Sequence, residues 1–227
     1  MSRDEDWVKT LITNLKLNES GIALDIGANH GIYSDLLARK FGKVYAFEPH
    51  PYNVNKLKSN LTQKNVQVEQ KVIGTSNSVV DLFVCSANDG GHTIMKGLAD
   101  VRKWGHSVHN TIRVESITLD TFCKDMNISF IKCDIEGGEY EIFYHSKDTL
   151  KRTHPTIVLE THQVSDFKSD QEKRDKLFKF FIDLGFSILD RNNNKVSSFT
   201  FDTHYLITKS TAISGPLWWS PDETMFI

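Results

Sequence analysis

The chain has 227 residues, 39% of them hydrophobic and 25% charged, with a formal net charge of −2. That length supports one sizeable core, and the balance of charge excludes the broad basic field on which nucleic-acid binding depends. No apolar run is long enough to span a bilayer, and the acidic start, MSRDEDWVKT, lacks the apolar core of a signal peptide, so a cytoplasmic protein without membrane insertion is expected.

Trp7, Val8, Leu11, Ile12 and Leu15 recur at helical spacing and predict an amphipathic first helix within residues 1–18. A short buried strand follows over 21–27, then a helix over 32–41 carried by Ile32, Leu36 and Leu37. Residues 43–49 form a strand that Pro49 stops, and Pro51 opens a helix over 51–61. A further strand is expected over 66–74. This β-α-β-α-β alternation implies a parallel sheet covered by helices, with right-handed crossovers.

The rhythm then breaks. Two β-branched strands, 79–85 and 111–119, flank an insert over 86–110 that holds His92, His106, His109 and several glycines. An insert of that length is more often functional than idle, and a substrate lid is expected there rather than a zinc site, because no paired cysteines accompany the histidines. The three cysteines, Cys85, Cys123 and Cys133, show no CxxC spacing and read as reduced thiols. The α/β pattern resumes with a strand at 128–133, a helix over 138–150, a strand at 155–160 and a strong helix over 176–186 closed by Gly185. Two final strands, FSILD and HYLITK, predict an antiparallel edge pair. The tail carrying Trp218 and Trp219 reads as a strap against the core. One domain over 1–227 is expected.

In an open parallel sheet, ligands bind beyond the carboxyl ends of the strands. Those ends carry Asp25-Ile26-Gly27-Ala28-Asn29-His30-Gly31, then Glu48, then Ile73-Gly74, then Asp134 and Glu136, and finally Glu160 and His162. Gly27 permits a tight turn and Gly31 a close approach of ligand and helix. A pyrophosphate binder wants a second glycine where Asn29 stands, and would be opposed by Asp25. An aspartate at that point suits an ammonium or sulfonium group, and Glu48 can accept from both hydroxyls of a ribose. Ribose with local positive charge and no pyrophosphate describes S-adenosyl-L-methionine.

The segments LDIGANHGIYS, AFEPHP, ITLDTF, FIKCDIEGGEYEIF and PTIVLETH, taken in order over roughly residues 20–162, resemble the FkbM family of S-adenosylmethionine-dependent methyltransferases. The resemblance implies a class I methyltransferase fold, Rossmann-like, with helices on both faces of a mostly parallel sheet. It also implies O-methylation, often of hydroxyls on sugars or secondary metabolites, and hence a sugar or glycan acceptor. Cofactor contacts are expected from Asp25, Gly27, Ala28, Asn29, Gly31, Glu48, Gly74 and Asp134.

An alcohol keeps its proton at neutral pH, so transfer to oxygen gains from a positioned base or from a cation that acidifies the hydroxyl. Asp134, Glu136, Glu160 and His162 are the candidate catalytic residues. His162 leads as base, with Asp134 or Glu160 holding its tautomer. Asp134, Glu160 and His162 could instead hold a divalent cation such as Mg²⁺; the metal-free arrangement is the expectation. Glu139 and Glu141 read as the acidic first turn of the next helix.

Overall fold

The computed structural model describes residues 3–85, 91–95, 108–163, 167–200 and 203–209. Seven strands form the main sheet: β1 (Asn18–Ile26), β2 (Phe41–Phe47), β3 (Val66–Glu69), β7 (Ile128–Cys133), β8 (Thr156–Thr161), β9 (Phe186–Leu189) and β10 (Thr203–Lys209). Their order is β3-β2-β1-β7-β8-β10-β9. The first five pair in parallel, and β10 runs antiparallel to both β8 and β9. The expected antiparallel pair therefore lies at one edge.

Side chains alternate across each strand, so each strand feeds two cores. Leu24 and Ile26 of β1, Ile131 of β7, Ile157 and Leu159 of β8 and Ile207 of β10 enter one. Ile142 and Phe143 of α5 (Glu139–Tyr144), Leu150 of α6 (Lys147–Thr153) and Leu177 and Phe181 of α7 (Phe167–Asp183) cover that face. Ala23, Phe130, Val158 and Leu206 point the other way. There they meet Val8, Leu11 and Ile12 of α1 (Arg3–Asn14) and Leu37 of α2 (Ile32–Ala38), while α3 (Pro51–Asn60) adds Leu57 beside Ala28 and Ala46. Pro51 stands at the start of α3, and Gly185 follows α7 with a φ of 83°, both as the sequence predicts.

Two elements depart from the sequence reading. The single strand expected over 66–74 divides into β3 and β4 (Val72–Ile73), which belong to different sheets. Val72 and Ile73 are both buried, one in a small outer core with Leu82 and Val114 and the other in the main core. Neighbouring strand residues point to opposite faces, so this pair needs a core on each side. β4 satisfies that by joining β5 (Ser78–Cys85) and β6 (Val108–Ile117) in a second, three-stranded sheet.

The helix expected over 138–150 is broken into α5 and α6. Ser146 is fully buried, and its hydroxyl donates back to the Ile142 carbonyl at 2.5 Å, a local bond that competes with helix continuation. The new N-terminus so created is capped from outside. Asp120 in α4 (Leu119–Phe122) accepts from the backbone N–H groups of Asp148 and Thr149 at 3.2 and 2.7 Å. Most of the 86–110 insert, with His106, the His109 side chain and Trp104, lies outside the described residues, as does the tail with Trp218 and Trp219. No helix among the described residues is long and apolar enough to cross a membrane. Cys123 and Cys133 are buried free thiols, and burial pushes Cys123 up to about 12.

Candidate active site

The carboxyl ends of β1, β2, β7 and β8 open onto one cavity of about 400 Å³. Gly27 is the pivot. Its φ is 80°, and a Cβ there would lie 1.8 Å from the carbonyl oxygen of Asp134, so no side chain fits. The N–H groups of Gly27 and Ala28 donate to the Phe47 carbonyl, and the Asp134 N–H donates to the Ile26 carbonyl. Three strand ends are thereby locked at one point. Asn29 follows with a φ of 47° and donates its N–H to Glu48 Oε2, while the His50 N–H donates to Oε1, each at 2.9 Å. Burial, opposed by those two bonds, lifts the Glu48 carboxyl to about 7. Gly27, Ala28, Asn29, His30 and Glu48 all line the cavity.

Three expected cofactor contacts do not. Asp25 is fully buried, receives the Ser34 hydroxyl at 2.6 Å and sits 3.6 Å from the Lys132 ammonium. Its even-numbered neighbours face one core, so its own side chain points beneath α2 and away from the cavity. Gly31 caps α2, where an added Cβ would press on Leu57 at 3.0 Å. Gly74 lies against Ser116 of β6, 2.3 Å from the position of a Cβ. Both glycines serve packing between elements.

The ends of β7 and β8 gather the remaining candidates. Asp134, Glu136 and Glu160 line the cavity. His162 stands behind them, not on the cavity wall, with its Nδ1–H donating to Glu139 Oε1 at 2.7 Å. Its Nε2 faces Glu160 Oε1 at 3.6 Å, Glu136 Oε2 at 3.8 Å and Asp134 Oδ1 at 3.9 Å. The far oxygens of two of these carboxylates have partners of their own. Lys132 reaches Asp134 Oδ2 at 3.3 Å, and His204 Nε2 reaches Glu160 Oε2 at 3.2 Å.

Burial opposes charge on His162, but Glu139, by charge and hydrogen bond, together with Asp134 and Glu136 holds its ring well above the usual imidazole range. The bond from Nδ1 to Glu139 turns the other ring nitrogen of His162, Nε2, toward the three carboxylates. Its tautomer partner is Glu139, not Asp134 or Glu160. Glu136 goes the other way: burial, with Asp134, Glu139 and Glu160 nearby, lifts it to about 7 despite His162. Burial would raise Asp134 too, but Lys132, His162 and His204 pull it below its ordinary value.

Sequence reasoning passed over three residues here. Lys132 is a charged residue inside the apolar strand ISFIKC, a signal that was legible. Glu139 fitted a helix first turn too well to stand out. His204 reaches the site because β10 pairs with β8 in a register that sets it opposite Glu160. From the described part of the insert, His92 and Ile94 reach the cavity wall, and the Thr93 hydroxyl donates to the Glu136 carbonyl at 2.9 Å.

A family model described as a methyltransferase FkbM domain matches residues 25–188. The chain belongs to the FkbM methyltransferase family. The S-adenosylmethionine expected from the sequence agrees with that membership. The fold resembles that of a methyltransferase FkbM from Methylobacillus flagellatus KT, with 17% identity, a TM-score of 0.52, and coverage of 85% of this chain and 44% of that one. This chain thus spans less than half the length of that relative. It is also similar to an rRNA methylase from Streptococcus thermophilus, with 11% identity, a TM-score of 0.50, and coverage of 92% of this chain and 97% of that one. At such identities the likeness is one of fold. A comparison with curated proteins gives no match.

Proposed function

We propose that this FkbM domain is an S-adenosyl-L-methionine-dependent O-methyltransferase acting on a hydroxyl of a sugar or glycoconjugate. The observation that carries the reading is the lining of the cavity at the strand ends. It combines the Gly27–Asn29 turn and Glu48 with Asp134, Glu136 and Glu160. Glu48 accepts the ribose hydroxyls of the donor, and Asp134, Glu136 and Glu160 face the acceptor.

The acceptor oxygen attacks the methyl carbon in line. A C–O bond forms, the S–CH₃ bond breaks, and S-adenosylhomocysteine leaves. Holding donor and acceptor in that geometry supplies much of the acceleration. Among Asp134, Glu136 and Glu160, Glu136 has the most exposed side chain, at 33% against 28% and 22%, and takes the hydroxyl proton. The grouping of Asp134, Glu136 and Glu160 suits a neutral, hydroxyl-rich acceptor, which supports a polyol.

Thermal unfolding tests the donor. S-adenosylhomocysteine is expected to raise Tm, as any ligand of the native state does; no shift at millimolar ligand, with NAD producing one, would remove the proposal. A radiolabelled methyl-transfer screen across glycans, small alcohols and RNA tests the acceptor: label on RNA alone would overturn the sugar reading.

Glu48 adds a pH signature. Its ionised form accepts the ribose hydroxyls, and protonation near pH 7 supplies a competing O–H. Affinity for S-adenosylhomocysteine should therefore fall as pH drops below about 7, by at most about tenfold per unit for one proton. Calorimetric titration at pH 6, 7 and 8 reads this, and Glu48→Gln should flatten the profile.

A further inference from the structure

We propose that Asp134, Glu160 and His162 form a divalent-cation site at the acceptor end of the cavity. The inference rests on the methyltransferase reading only for the use made of the ion, not for its binding.

Donor atoms of these three residues lie within 4.8 Å of one another. His162 Nε2 stands 3.6 Å from Glu160 Oε1 and 3.9 Å from Asp134 Oδ1. Both separations are too long for hydrogen bonds. They are the right length for atoms sharing one ion, since ligand bonds of about 2.0–2.2 Å place neighbouring donors about 3–4.3 Å apart.

A second observation is independent of those separations. Each of the three residues is held from outside by the atom it does not offer. His162 gives its Nδ1–H to Glu139 Oε1 at 2.7 Å, which itself receives the Gly137 N–H at 3.1 Å. Asp134 Oδ2 is met by Lys132 at 3.3 Å, and Glu160 Oε2 by His204 at 3.2 Å. One nitrogen and two oxygens are left converging, each oriented by its own outer partner. That is how proteins aim metal ligands, whereas a surface patch of acids has no need of it. The partners arrive from three separate elements: Glu139 from the start of α5, Lys132 from β7 and His204 from β10.

The donor set fixes the class of ion. Two carboxylates with one imidazole suit a first-row divalent cation better than Mg²⁺, and Mn²⁺ accepts both donor types. Asp134 and Glu160 line the cavity, so the ion has an open side toward the acceptor. There it binds the acceptor hydroxyl as a Lewis acid and makes its proton easier for Glu136 to take.

Electron paramagnetic resonance tests the site on the whole chain, stripped with EDTA and desalted. Mn²⁺ is the probe, because its free signal disappears on binding. One Mn²⁺ per chain is expected. Glu160→Gln should weaken binding by at least about tenfold, and Glu139→Gln by about 10–100-fold through loss of the outer partner. In both variants S-adenosylhomocysteine affinity should stay within about twofold, which shows that the fold and donor site survive. Methyl transfer should be lost in EDTA and restored by Mn²⁺. Absence of Mn²⁺ binding, or equal binding by wild type and Glu160→Gln, overturns the cation site, and retained S-adenosylhomocysteine binding then leaves the methyltransferase reading in place. Mn²⁺ bound as described without any S-adenosylhomocysteine binding supports the site and sinks that reading instead.

Discussion

Replacing Lys132 with methionine should lower the unfolding free energy by about 3–5 kcal/mol, the range for breaking a buried ion pair from one side. Lys132 and Asp25 have side chains 3% and 0% exposed and stand 3.6 Å apart. Lys132 also donates to the Gly27 carbonyl at 3.1 Å and lies 5.0 Å from the centre of the Tyr33 ring. Methionine fills similar space but leaves Asp25 with the Ser34 hydroxyl alone against burial that already raises its carboxyl pKa. Urea unfolding gives the number. The double variant Asp25→Asn with Lys132→Met should recover part of the loss, because the stranded charge is gone and the two sites couple through contact. A loss below about 1 kcal/mol in the single variant would mean that water reaches Asp25 and the pair is not dry.

Replacing Glu136 with glutamine should lower methyl-transfer turnover by about 10²–10⁴-fold, the usual worth of a positioned base. Glutamine keeps the size of the side chain and cannot take a proton. Donor binding at Glu48 and the Gly27 turn should stay unchanged, so the loss belongs to kcat. The melting temperature should not fall, since the substitution removes a negative charge placed among Asp134, Glu139 and Glu160. Turnover within threefold of wild type would take the base away from Glu136. A fall in Tm with lost cofactor binding would show that the residue holds the turn instead.

The order of the main elements could be read from chain order because periodicity changes sharply there. Ile22, Leu24 and Ile26 alternate, whereas Val54, Leu57 and Leu61 recur at helical spacing. The division of 66–74 could not be read, since an apolar pair such as Val72-Ile73 serves one sheet or two equally well. The break at Ser146 depended on Asp120, a cap brought from 28 residues away. At the site, Asp134, Glu136, Glu160 and Glu48 were found because a parallel sheet places its strand ends together whatever its details. Asp25 was misplaced because alternation decides which side of the sheet a strand-end residue faces, and Ile26 next to it already occupies the other side. Glu139 and His204 were missed for a different reason: their roles come from a turn geometry and an antiparallel register, neither of which leaves a mark on local sequence.

The contact between Gly27 and the Asp134 carbonyl has a bearing on how this domain can vary. The floor made by the turn after β1 and the floor made by the end of β7 are one surface at that point, with no slack for even a methyl group. Under the proposed function, changes to Glu48 would tune the donor while sparing the acceptor. A change at the Gly27 seam cannot, because any shift of one floor moves the other. New acceptor preferences in such a scaffold must therefore be written at the rim of the cavity, while the seam beneath stays as it is.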